Sequence, residues 1–194
     1  MVELETGIWQ RTAPKETVCG DSYLVGEENR VFTIAVVDGL GHGPAARQAA
    51  DTAVGALQNN QNSLQRIIPE IHRQLMGTRG AVLSIARFDL DSGIIKFAGV
   101  GNIYTYVIFQ GRVKTLMSVD GFLGGRFPSI REYDLDLEEL EQLIMVSDGI
   151  AAIPGRDLLK ISWQKAEDMA RTIGEKWSLH RDDATVVVVK KKGS

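Results

Sequence analysis

Residues 32–50, FTIAVVDGLGHGPAARQAA, decide how this chain is read. Phe32 to Val37 is a run of β-branched and apolar residues that suits a buried strand. It ends on Asp38-Gly39, passes through Gly41, His42 and Gly43, and meets Pro44, a residue preferred at the first position of a helix. Beyond it Ala45, Ala46, Ala49, Ala50, Ala53, Val54 and Leu57 recur on one helical face. A buried strand that delivers an acid into a glycine loop at the start of a helix is a grammar for holding anions and cations.

With this one, strands are expected at 18–25, 31–37, 81–88, 94–100, 104–109, 113–118, 143–147 and 185–189. Asp91-Ser92-Gly93 and Gln110-Gly111 read as hairpin turns between neighbouring strands. A second helix is expected after Ser63, carrying Leu64, Ile67, Ile68, Ile71 and Leu75, with Pro69 kinking or restarting it. A third is expected after a Ser162 cap, with Trp163, Ala166, Ala170 and Ile173 inward and Gly174 as its stop. Hairpins in one block and helices in others make the class α+β, with helices outside packed sheets.

The 194 residues fit one domain, taken as 1–192 with 193–194 set aside as a tail. With 44% hydrophobic and 24% charged residues the chain is neither disordered nor fibrous. A net charge of −3, with Lys190 to Lys192 as the single basic run, argues against nucleic acid as a partner. Cys19 alone cannot form an internal disulfide, and no long apolar span suggests a membrane, so a cytoplasmic location is the expectation. A monomer is expected, although no residue pattern argues for it. Cys19 itself reads as a small buried side chain.

Asp38-Gly39 and Asp148-Gly149 each follow an expected strand, Asp21 lies in an early one, and Asp182-Asp183 opens the last. Alone, an Asp-Gly after a strand is ordinarily a hairpin turn, and paired aspartates are ordinarily solvated. Together, acids at the rims of neighbouring strands would repel one another unless cations neutralise them. With no Cys or His cluster, an all-oxygen set suits Mg2+ or Mn2+. Two such ions about 4 Å apart can activate water and clamp an in-line displacement at phosphorus. Gly39, Gly41 and Gly43 would let the backbone bend toward an ion, with the Gly39 carbonyl as a further ligand. His42 is a candidate proton donor, set against an ordinary exposed loop histidine.

Rival phosphate motifs each miss a residue. A dinucleotide fingerprint from Gly39 needs glycine where Pro44 stands, and no Gly-Lys-Ser/Thr exists for a P-loop. Six residues after Cys19, where a cysteine phosphatase needs arginine, stands Val25, and Leu40 occupies the first glycine of an Asp-x-Gly-x-Gly box.

Gly20-Asp21, Asp38 to Gly43, Gly99-Val100-Gly101-Asn102, Ser147-Asp148-Gly149 and Asp182 to Thr185, in that order, resemble the metal-dependent PPM-type protein serine/threonine phosphatases. The resemblance is to the bacterial branch that resets sporulation and stress regulators, and within it to a stand-alone feedback phosphatase of the stressosome. It implies an α-β-β-α sandwich, two packed antiparallel sheets flanked by helices, and a two-metal site at one end. By motif, Asp38 would bridge both ions, the Gly39 carbonyl would bind one, Asp148 and Asp182 the other, and Asp21 would hold water or a ligand position. Asp183, Gly41 and Asn102 would support these ligands. The implied partners are phosphorylated stressosome scaffold proteins. The alternatives are a phosphorylated anti-anti-sigma factor as substrate, or a silent docking module of the same fold. The chain departs from the eukaryotic branch in having Gly20 where that branch has an acid, Leu40 where it has a histidine, and no matched phosphate-gripping arginine.

Overall fold

A computed structural model describes residues 2–192 apart from 59, 61 and 128. The elements run β1 (Leu4–Arg11), β2 (Asp21–Glu28), β3 (Val31–Gly39), α1 (Pro44–Gln58), α2 (Leu64–Gln74), β4 (Ala81–Asp89) and β5 (Ile94–Val100). They continue with β6 (Tyr104–Phe109), β7 (Arg112–Leu116), β8 (Glu132–Asp136), β9 (Leu140–Val146), α3 (Gly155–Ile161), α4 (Ala166–Trp177) and β10 (Ala184–Lys191). One antiparallel sheet has the order β1-β10-β9-β6-β7 and the other β2-β3-β4-β5-β8.

Alternation along the strands sorts side chains into three apolar layers. Ile34 and Val36 of β3, with Phe88 and Phe97, meet Leu143, Met145, Val187 and Val189 between the sheets. Ala35 and Val37 point the other way and pack with Ala49, Ala53, Ile67 and Ile71 of α1 and α2. Val186 and Val188 of β10 pack outward on Met169, Ala170 and Ile173 of α4. The result is the expected α-β-β-α sandwich.

Several boundaries differ from the sequence expectation. β1 and β8 were not expected, because both are edge strands with few buried positions and so little apolar alternation. The short α3 also carries little signal, with only Leu158 buried. Ser162 ends α3 instead of capping the next helix, α4 starts at Ala166 behind Lys165, and Trp163 is 79% exposed instead of inward. Gly174 is no stop: it lies inside α4, where a Cβ would run into the Trp9 ring of β1. Pro69 neither ends nor restarts α2, which runs through it. β2 opens at Asp21 instead of Val18. Among the described residues no helix is long and apolar enough to cross a membrane.

Candidate metal centre

β3 continues two residues past the expected end, so Asp38-Gly39 is strand and not a hairpin turn. Asp38 is flanked in register by Asp21 on β2 and Val82 on β4. Two carboxyls facing each other across a ladder are unfavourable without a neutralising partner. Gly39 keeps an extended conformation; its lack of a side chain matters because a Cβ would strike the Ala46 carbonyl in the first turn of α1. Gly41 and Gly43, with φ of 89° and 74°, supply the turn into that helix.

The second sheet brings the remaining acids. Asp148 follows β9 and is exposed, and Asp182 stands half-buried before β10. Asn102, after β5, donates its Nδ2 hydrogen to Asp148 Oδ2 at 3.0 Å. Asp21 is 1% exposed and ties the sheets together: its Oδ2 accepts from Ser147 Oγ at 2.7 Å and Thr185 Oγ1 at 2.8 Å. Asp183 is occupied otherwise. Its Oδ1 accepts the Ala13 N–H and its Oδ2 the Gly20 N–H, both at 2.8 Å, so it fastens the segment entering β2.

Burial, then the charges of Asp21, Asp148 and Asp182, push the Asp38 carboxyl up to about 9, and Asp148 lies within hydrogen-bonding reach of it. Burial raises Asp21 to about 7 against the lowering effect of its two hydroxyl donors. Asp182 is also raised, first by burial and then by the charges of Asp148 and Asp183, against the Asp183 N–H that it accepts at 2.9 Å and the influence of His42. The Cys19 thiol is raised to about 12 by burial and by Asp21, which keeps it an inert packing group.

Among the described residues, no three His, Cys, Asp or Glu side chains form a ready-made metal cage. The donor chemistry nonetheless fits hard cations. The groups facing one another are carboxylates beside a strand-end carbonyl, their charge is held in a poorly solvated place, and proton uptake is their way to relieve it without an ion.

His42 is exposed on the loop rim, its Nδ1 2.6 Å from Glu16 Oε1, and makes no hydrogen bond to any of the acids. Sequence reasoning missed Glu16, and it assigned no role to Ser147 or Thr185 although both adjoin the acid motifs. It also missed Arg11, whose guanidinium donates to Ser178 Oγ at 2.7 Å and the Asp182 carbonyl at 3.4 Å and contacts His180 Nδ1 at 2.8 Å. These arginine contacts span more than 160 positions and leave no local signal.

The sandwich is the fold of the solved PP2C phosphatase domain of SpoIIE from Bacillus subtilis, with a TM-score of 0.78 at 22% identity over 97% of this chain and 63% of that one. The sequence profile of Stage II sporulation protein E (SpoIIE) matches residues 28–192, and the chain belongs to that family. It is 21% identical over 188 residues to "Phosphoserine phosphatase RsbX" of Bacillus subtilis (strain 168), covering 95% of this chain and 94% of that one. A solved chain from the bacterial stressosome, described as a modular system adapted to control secondary messenger signaling, is 36% identical. That match covers 97% of this chain and all of the other, with a TM-score of 0.89. RsbX in complex with magnesium superposes with a TM-score of 0.84 at 20% identity, over 99% of this chain and 100% of that one.

Proposed function

We propose that this chain hydrolyses phosphoserine or phosphothreonine monoesters on stressosome scaffold proteins, in the cytoplasm, with 1–192 acting as one catalytic domain. The observation that carries this reading is the convergence of Asp21 and Asp38 from one sheet with Asp148 and Asp182 from the other, beside the Gly39 carbonyl. The 36% identity to a chain of the bacterial stressosome supports the choice of partner, and the likeness to a phosphoserine phosphatase supports the chemistry.

In this reading Asp38, the Gly39 carbonyl, Asp148 and Asp182 hold two Mg2+ or Mn2+ ions, and Asp21 holds water or a ligand position beside them. When bound, such ions supply activated water and offset the charge on the phosphoryl oxygens. The chain's own residues fix the geometry. Ser147 and Thr185 aim Asp21, Asn102 orients Asp148, and Asp183 holds the Gly20 backbone against the site. Gly41 shapes the loop. The serine or threonine alkoxide must gain a proton as it leaves, and His42, steadied at Nδ1 by Glu16, has Nε2 available to provide one.

The test is phosphate release from a phosphorylated scaffold protein with Mn2+. Asp38→Asn should lower it by about a thousandfold, because it removes a carboxylate that would hold the ions supplying activated water. Wild-type turnover by that variant would refute the assignment. Faster release from a phosphorylated anti-anti-sigma factor would move the substrate but keep the chemistry, whereas no release from any phosphoprotein would leave only a docking module.

A further inference from the structure

Two divalent ions would do little more than balance the four carboxylates gathered here, so a phosphate monoester, itself a dianion, would still gain from a positive group of this chain near the site. The cations near that end are mostly engaged. Arg11 is spent on Ser178, His180 and the Asp182 carbonyl, Arg47 pairs with Asp51, and Arg126 pairs with Asp120. Arg79 is different. It is exposed, and among the described residues it makes no hydrogen bond or ion pair. It lies over Gly41, where a Cβ would collide with Arg79 Nη1.

Its backbone is fixed from both sides. Thr78 Oγ1 donates to the Leu75 carbonyl at 2.7 Å and accepts the Gly80 N–H at 3.0 Å. The Leu40 N–H donates to the Gly80 carbonyl at 3.0 Å, and Ala81 pairs in register with Gly39. The turn bearing Arg79 is therefore stitched to the glycine loop whose first carbonyl is the proposed ligand. An unpaired guanidinium set over the Gly41 backbone keeps its planar fork of donors for an incoming anion.

We infer that Arg79 is the phosphate receptor of this site: its guanidinium, seated on Gly41, binds the phosphoryl oxygens of the substrate monoester. This rests on the phosphatase reading, and it adds a binding residue that the acid motifs do not contain. Gly41 has a second role in consequence, as the floor on which the guanidinium lies.

Calorimetric titration of inorganic phosphate into the full chain with saturating Mg2+ tests this separately from turnover. Arg79→Ala should weaken phosphate binding about tenfold or more, the loss of a charge-assisted pair, and Arg79→Lys should recover only part, because a point charge replaces the fork. Magnesium affinity should stay unchanged in both, and Arg112→Ala, on the remote β7 hairpin, should bind phosphate as the wild type does. With an aryl phosphate, the Arg79→Ala loss should fall on KM more than on kcat. Unaltered phosphate affinity in Arg79→Ala overturns the inference, as does a loss confined to Arg181→Ala, the other rim arginine without a pairing partner among the described residues. Wild-type turnover with unaltered phosphate affinity in Arg79→Ala would sink this inference alone. Absent turnover with weakened phosphate binding would sink the phosphatase reading alone.

Discussion

Asp38 sits where folding and function oppose each other. In an unfolded chain its carboxyl ionises near 3.8, while in the folded, ion-free protein burial and its acidic neighbours raise it to about 9. Between those values the folded state holds the extra proton, so unfolding releases it and stability falls as pH rises. The group's contribution is fully present below about 3.8 and is lost as pH climbs through about 9. Asp38→Asn removes that titration. With chelator present, the variant should melt several degrees above wild type near pH 8, at about 2–4 °C per kcal/mol for a chain this size, and the gap should shrink toward pH 4. A thermal-shift series across pH checks this, and a variant that melts lower near pH 8 would contradict it. Thr185→Val tests the same electrostatics from the donor side. Its hydroxyl lowers the Asp21 carboxyl, so its loss should weaken Mn2+ binding by about 10-fold near neutral pH in a calorimetric titration. Part of that loss should return as pH is raised.

Among the elements, two glycines inside helices should respond in opposite ways to the same substitution. Gly174 lets α4 lie against β1, and Gly174→Ala would force its Cβ into the Trp9 ring, costing about 1–3 kcal/mol in overpacking. Gly55 in α1 has open space where a Cβ would stand, with nothing within 4 Å, so Gly55→Ala should stabilise by about 0.5–1 kcal/mol through helix propensity. Urea midpoints of the two variants, moving apart in sign, are the measurement. The contrast also marks what was legible in the sequence. β3 and α1 could be read because each carries its own local pattern: an unbroken run of β-formers from Phe32 to Val37, then alanines at helical spacing. The apolar face of α4 was legible at Ala166, Ala170 and Ile173, but its start was not, because Ser162 offers a capping residue that belongs to the end of α3. Charged β8 hides because Glu132 and Asp134 bind Lys96 across the sheet edge instead of filling a core. The acids could be read from their place beside strands; the groups that steer them could not. Thr185 meets Asp21 across 164 positions, and only the closed sandwich puts hydroxyl and carboxyl together.

For the molecule as a whole, the site is a seam between sheets: Asp21 and Asp38 belong to one, Asp148 and Asp182 to the other. The apolar layer between the sheets presses these like charges together, so the folded chain carries repulsion that an unfolded chain disperses. A cation that binds only the assembled seam stabilises it by mass action, about 2.7 kcal/mol at a hundred times its dissociation constant. Millimolar Mn2+ or Mg2+ should therefore raise the melting temperature by about 5–10 °C at that saturation, and chelator should reverse the gain. The size of the shift should also depend on pH in a definite direction. Near pH 5 Asp38 and Asp21 hold protons that an ion must displace, so the gain should be small; near pH 8 fewer protons compete and it should be large. Asp148→Asn should reduce the shift at the higher pH, since it removes a ligand from the second sheet. Differential scanning calorimetry of both proteins at the two pH values tests the seam as a unit, and a wild-type melting temperature indifferent to either ion at pH 8 would mean that the acids do not close on a cation.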